Sequence, residues 1–217
     1  MPKPRELDDL PYACYLQPFE GRLDREGSYD SLHFDGTAFD EADGGGSRFT
    51  ECAFSAPVFT AGRLRRTRFN DVWLHSARWV GTDLAESEWF DAEIVGSVLA
   101  GLEAYSAQLR ATTFFNCKFD SVNLRTSTLR DVAFVDCVMR DVDFGGATLT
   151  GVTFPGTTLD KVRFGKAQMK KVDLRGAGSL NIVDGFDALR GAIISTPQLL
   201  DLAPMLADVL GITVKDR

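Results

Sequence analysis

Histidine and paired cysteine are scarce in this chain of 217 residues: there are two histidines, His33 and His75, and four cysteines, Cys14, Cys52, Cys117 and Cys137. No Cys-x-x-Cys pair occurs, so neither a zinc site nor a disulfide framework is expected. Positive charge is also short, with 24 Lys and Arg against 31 Asp and Glu and a formal net charge of −7. Such a balance disfavours direct binding of nucleic acid or anionic lipid. No apolar run approaches the length of a membrane span, and the polar start, Met1 to Asp9, has no signal-peptide core, so a cytoplasmic protein is expected. The phosphate-cradling Gly-x-x-x-x-Gly-Lys-(Ser/Thr) and Gly-x-Gly-x-x-Gly patterns are missing, as are Gly-x-Ser-x-Gly and His-Glu-x-x-His. No cofactor and no catalytic residue are therefore expected, and an enzyme would need a cleft of clustered ionisable groups.

What the chain does have is apolar residues, 44% by composition, arranged with a period of five. Of the 30 positions reached by stepping five residues at a time from Tyr29 to Leu174, 28 carry a large apolar side chain; only Gly44 and Ala104 do not. One residue later, only Phe90, Tyr105 and Phe115 belong to that class, so the signal sits in one register. With the large position called i, position i−2 is Ala, Ser, Thr, Cys, Val or Gly at 27 of 30 places, the exceptions being Leu32, Pro57 and Leu102.

A step of five residues rotates an α-helix by about 140°, which scatters the large residues around it, and an odd step in a strand alternates faces. Neither regular element buries such a pattern. A coil of short straight sides and tight corners does, with i−2 and i turned inward on every side. Cys52, Cys117 and Cys137 all fall at i−2, where a small packing residue is wanted.

Units such as Thr82-Asp83-Leu84-Ala85-Glu86, Val122-Asn123-Leu124-Arg125-Thr126, Val142-Asp143-Phe144-Gly145-Gly146 and Val172-Asp173-Leu174-Arg175-Gly176 resemble the pentapeptide-repeat family, whose motif is Ala-(Asp/Asn)-Leu-x-x. The resemblance implies an all-β fold, a right-handed quadrilateral parallel β-helix with twenty residues per coil. Thr, Arg, Val and Trp often replace the polar residue at i−1, which alters the outer slot and leaves the inner one intact. Thirty units then make seven and a half coils, about 36 Å at the inter-strand spacing, close to the 34 to 36 Å turn of B-DNA.

Solenoid ends need covers. Residues 1–28, with Leu7, Leu10, Tyr12, Tyr15, Leu16 and Phe19, are the candidate N-terminal cap, residues 29–176 the β-helix, and residues 177–217 a C-terminal cap or helix. Ser195, Thr196 and Pro197 read as a helix start and Gly211 as its stop, with Pro204 expected to kink or split it. Its apolar residues, Leu199, Leu202, Leu206, Val209 and Leu210 among them, exceed what one cap needs. Similarity to characterised members implies a homodimer through this element; a monomer with a folded-back cap is the other reading.

Charge placement carries the functional expectation. Between Trp79 and Leu109 lie six acids, Asp83, Glu86, Glu88, Asp91, Glu93 and Glu103, and no Lys or Arg, an acidic belt in sequence. At twenty residues per coil, Asp83, Glu103 and Asp143 share an i−1 column and Glu51, Asp71, Asp91 and Asp131 an i+2 column. Such residues also serve solubility alone. Against them stand a basic column, Arg110, Arg130 and Lys170, and the cluster Arg63, Arg65, Arg66 and Arg68. An apolar i+1 stripe, Val95, Phe115, Val135 and Pro155, is expected to be exposed, as an interface or as strand filler. The chain resembles Qnr-type quinolone-resistance proteins, which present a negative rod of DNA-like width to DNA gyrase and topoisomerase IV. That resemblance implies a non-enzymatic DNA mimic with a type II topoisomerase as partner. The alternative is a scaffolding solenoid that binds another protein through the apolar stripe or the C-terminal element.

Overall fold

The large residues of the five-residue period all turn into one shaft in the computed structural model, which describes residues 3–215. Met1, Pro2, Asp216 and Arg217, which belong to the expected terminal segments, lie outside the described residues. The chain winds as a square tower of parallel strands in which each residue pairs with the one twenty positions on. The first face stacks eight strands, from Ser28–Asp30 through Arg48–Thr50 to Gln168–Lys170. A second stacks seven, from Gln17–Pro18 to Ala133–Val135, and a third stacks eight, from Ala38–Asp40 to Ser179–Asp184. The fourth is narrower, a column of single bridges running Asp43, Arg63, Asp83, Glu103, Asn123, Asp143, Arg163.

The shaft is filled by stacked rings. Phe114 lies over Phe134 with centroids 5.0 Å apart and planes 12° from parallel, and Phe134 over Phe154 at 5.3 Å. These separations follow from the spacing of about 4.8 Å between paired strands. Phe34 on Phe54 repeats the arrangement lower on the same face, and Phe49 on Phe69 and Phe59 on Trp79 repeat it on the first and third faces. Beyond the first coil the i−2 slots are enclosed, and hydroxyls such as those of Ser47, Thr67, Thr82 and Thr157 are accepted there because a backbone carbonyl 23 residues earlier receives the hydrogen bond. Thr157 donates to the Phe134 carbonyl at 2.7 Å, and Thr67 to that of Gly44 at 3.3 Å. Cys117 and Cys137 use the same geometry toward the carbonyls of Ile94 and Phe114. Burial pushes the Cys52 thiol up to about 11 and holds that of Cys117 well above its ordinary value.

Corners between faces are made at i+2 by residues in the left-handed backbone region, such as Glu51 (φ 50°), Asp71 (φ 52°), Asp91 (φ 52°) and Asp131 (φ 53°). Asp, Asn and Gly tolerate that region best, which gives the corner acids a backbone role as well.

The two ends differ. Residues 17–23 lie over the first coil, with Phe19 against Phe34 at 4.3 Å and Leu23 buried. Upstream, the 3-10 turns Leu7–Asp9 and Ala13–Tyr15 lie instead along the outside of the second face, where Leu10 and Tyr12 bury themselves on Ala53 and Trp73. Tyr15 is exposed. At the other end Thr196–Val209 is one helix, capped by Ser195 and Gln198 reciprocally. It closes on Gly211 (φ 69°) with bonds from Gly211 N to Asp208 O and Ile212 N to Ala207 O. Pro204, expected to kink or split the helix, does not split it. The proline faces solvent, so the carbonyl of Leu200 that loses its intrahelical donor is one that water reaches.

Candidate interaction surface

The i+2 acids meet as expected on one edge of the tower, between the first and second faces. Glu51, Asp71 and Asp91 occupy consecutive coils, each corner amide donating to the next coil: Glu51 N to Asn70 O, Asp71 N to Phe90 O, Asp91 N to Arg110 O. Ala111 interrupts the column and Asp131 resumes it. Among the described residues Glu51, Asp91 and Asp131 have no ion-pair partner. Burial, followed by repulsion from Asp91, raises the Asp71 carboxyl above the usual carboxylate range, while Arg5 pulls it down and Glu51 adds to the rise.

The acids of the fourth face are placed in one column as the period requires, but arginines of neighbouring coils neutralise two of them, Asp83 and Asp143. Arg65 reaches Asp83 at 3.9 Å and Glu86 at 2.7 Å, and Arg125 reaches Asp143 at 3.0 Å. Glu103 accepts a hydrogen bond from Asn123 at 2.6 Å. The acidic belt between Trp79 and Leu109 is therefore not continuous in space. Arg68 pairs with Glu88 at 3.2 Å, and Glu93 is buried under Arg5, which donates from its amide at 2.6 Å and from Nε at 3.0 Å. Arg110 and Arg130 are register partners on the first face, and Lys170 pairs across Thr150, so the basic column beside the acid edge is present as well. Gly45 and Gly46 direct their amides to Asp43 Oδ1 and the Arg65 carbonyl, as a corner rather than an anion nest.

The apolar stripe is corrected. Val95, Phe115 and Val135 are 8%, 3% and 4% exposed and form a cluster of their own with Ala133. In-register stacking covers each residue above and below, which a one-dimensional reading of outward positions cannot count. Pro155 is half-buried. Nor does the sequence signal Arg5 or Trp73, whose indole N–H donates to the Arg5 carbonyl at 3.1 Å across 68 residues.

The C-terminal helix splits its predicted residues. Leu202 is buried and Leu206 half-buried against the tower, while Leu199, Val209 and Leu210 face outward with Leu200, Met205, Ile212 and Val214. Among the described residues no group of three or more His, Cys, Asp or Glu is placed to hold a metal, and no helix is long and apolar enough to cross a membrane.

Comparison with known proteins bears on the fold. The family model of the pentapeptide repeat region matches residues 87–164. No curated protein matches the chain by sequence. Two trypsin-treated forms of QnrB1, a plasmid-mediated fluoroquinolone resistance protein, share its architecture. One is 19% identical, covering 92% of this chain and 95% of that one at a TM-score of 0.60. The other is 18% identical, covering 92% and 96% at 0.64. Identity at this level speaks for the fold alone. The pentapeptide-repeat model covers residues 87–164, and the same square coil continues on both sides of it, so the chain has the fold of the pentapeptide-repeat β-helices.

Proposed function

We propose that this chain is a non-enzymatic interaction protein of the cytoplasm that competes with DNA for the basic groove of a type II topoisomerase, DNA gyrase or topoisomerase IV. One observation carries the reading: Glu51, Asp71 and Asp91 stand on successive coils of one edge, with Asp131 two coils on, and Asp71 already feels its neighbours' charge. Carboxylates about 4.8 Å apart repel by roughly 1 kcal/mol per pair even in water, a cost the fold does not require. Eight coils give a rod about 38 Å long, comparable with one turn of B-DNA. The fluoroquinolone resistance attached to QnrB1, a neighbour in fold, is consistent with this partner class. The acids of the fourth face, Asp83 and Asp143 with arginine partners and Glu103 bonded to Asn123, take a lesser part.

The test is DNA supercoiling by gyrase with increasing protein, with and without a fluoroquinolone, alongside a variant carrying Asp71→Lys, Asp91→Lys and Asp131→Lys. The expected result is inhibition or drug protection at micromolar protein that the triple variant loses. No effect of either protein, or an equal effect of both, discards the reading.

A second reading is favoured by the outward apolar residues of the C-terminal helix: a scaffold, without mimicry, that binds through that element. The buried Val95, Phe115 and Val135 give it no second surface.

A further inference from the structure

A second group of arginines lies across the first face from the acid edge. Where the fourth face turns into the first, near the N-terminal end of the tower, a depression of about 550 Å³ is walled by Arg25, Arg48, Arg66 and Arg68, with Glu26 as its one acid. Its floor is Gly45 and Gly46, which carry no side chain to fill it. A Cβ on Gly46 (φ 75°) would stand 3.3 Å from Glu26 Cγ.

Arg48 and Arg68 are register partners on adjacent strands, so their guanidinium stems are stacked like charges. Glu88, the next residue of that column, answers Arg68 at 3.2 Å, and Asp43 answers Arg25 at 3.5 Å. Among the described residues neither Arg48 nor Arg66 has an ion-pair partner. Both are exposed, so the fold does not need them. In a chain of net charge −7, four arginines facing one hollow, two of them without an ion-pair partner among the described residues, suit a multiply charged anion. Guanidinium forks match phosphate oxygens two at a time, and the volume suits a small molecule rather than a chain.

We propose that this depression binds the phosphate chain of a small polyphosphate, two or more linked phosphates gripped by Arg48 and Arg66 with Arg25 and Arg68 at the rim. A second hollow of about 410 Å³ shares Arg48 and Arg68 and continues along the first face past Glu88 to the exposed ring of Phe90, over which the Arg110 guanidinium lies 5.3 Å from the centroid, with Asn70 and Gln108 beside it. A base attached to the phosphates would reach that aromatic hollow. The surface is opposite in sign to the acid edge, so the inference does not depend on topoisomerase binding.

The experiment is isothermal titration calorimetry of the full chain with inorganic tripolyphosphate and, separately, ATP at about 0.1 M salt, where the Debye length is about 10 Å. Saturable binding at tens of micromolar or tighter is expected, weakened at least about tenfold by Arg48→Gln with Arg66→Gln. Arg140→Gln, on the third face, should leave it unchanged. Circular dichroism melting of each variant shows whether the fold is kept. Tighter binding of ATP than of tripolyphosphate assigns the aromatic hollow to a base; equal binding assigns the site to the phosphates alone, and both support the proposal. No saturation by about 1 mM of either ligand overturns it. So does undiminished binding in the double variant, and so does binding of an oligoglutamate peptide without binding of tripolyphosphate, which would mark an acidic protein segment as the occupant.

Discussion

Leu23 occupies the space that Gly44 leaves open at the top of the shaft: a Cβ on Gly44 would lie 3.5 Å from Leu23 Cβ and 2.8 Å from Leu64 Cδ2. Leu23 itself is 6% exposed. The missing large residue of the first coil's fourth side is thus supplied by the segment before the repeat. Leu23→Ala should cost about 2 to 4 kcal/mol, the loss of buried carbons plus the cavity left behind. Gly44→Ala, which only forces the end of Leu64 aside, should cost about 1 kcal/mol. Urea unfolding of both variants checks the order, and equal costs would show that Leu23 does not fill the gap.

The other break in the period is resolved within its own unit. Ala104 stands where a large residue belongs, and Leu102, two positions earlier, stands where a small one belongs; both are buried. The exchange is imperfect, since an apolar void of about 40 Å³ remains among Trp79, Leu84, Trp89, Leu99, Leu102, Ala104 and Leu109. Cavities in apolar cores cost roughly 24 cal/mol per Å³. Ala104→Val should therefore stabilise the protein by up to about 1 kcal/mol, read as a higher urea midpoint at unchanged slope. A lower midpoint would mean that the void is too narrow to accept the added methyls.

The square tower was legible in the sequence because its inner positions are chemically uniform: Phe114 is answered by a large apolar residue on either side, Ile94 and Phe134. The outer surface was not, and the reason is geometric. A residue's neighbours there lie about twenty positions away, so a window around Glu86 or Glu88 shows only acids while Arg65 and Arg68 sit beside them on the preceding coil. The same blindness made Val95 and Phe115 look exposed. Folding the sequence into rows of twenty recovers most of these pairs. It cannot recover Arg5 on Glu93, because the segment before the repeat has no period to fold.

Arg5 fixes that segment. Its amide and Nε bind the two oxygens of Glu93, a carboxylate 8% exposed, and its carbonyl accepts from Trp73. Arg5→Ala leaves Glu93 buried without its partner, at a cost of about 2 kcal/mol, less than for a fully enclosed pair because Arg5 is partly solvated. Tryptophan emission should shift to the red as Trp73 is uncovered, and amide exchange should quicken through residues 6–16. A stability loss with unchanged exchange there would mean that the 3-10 turns hold without the ion pair.

The acid edge has a pH signature. Asp71 titrates above its unfolded value, chiefly through burial and then through Asp91. Between the two values the native state binds more protons than the unfolded one, so this residue's contribution to stability falls as pH rises through that window. Asn tolerates the left-handed corner as Asp does. Asp71→Asn should accordingly be more stable than the parent at pH 7, by under about 1 kcal/mol given the solvent exposure of the group. The advantage should vanish near pH 3. An advantage that persists in acid would trace to the corner backbone instead of to charge.

Self-association is the remaining consequence of the C-terminal element. Leu202 faces the tower, whereas Leu200 and Leu210 are 69% and 73% exposed, and Val214 beyond the helix is 74% exposed. Large apolar groups clustered at one end of a rod lower their free energy by meeting a copy of themselves, since the same patch on a second chain is self-complementary about a two-fold axis. Sedimentation equilibrium at about 10 to 100 μM, the range in which a modest interface is populated, should show a species of twice the 23.8 kDa chain mass. Leu200→Glu with Leu210→Glu should return it to monomer without lowering the melting temperature of the tower, because neither side chain belongs to the shaft. Leu202→Glu should instead detach the helix and lower stability. If the parent chain sediments as a monomer throughout that range, or the exposed-site variant stays dimeric, the helix face serves another partner.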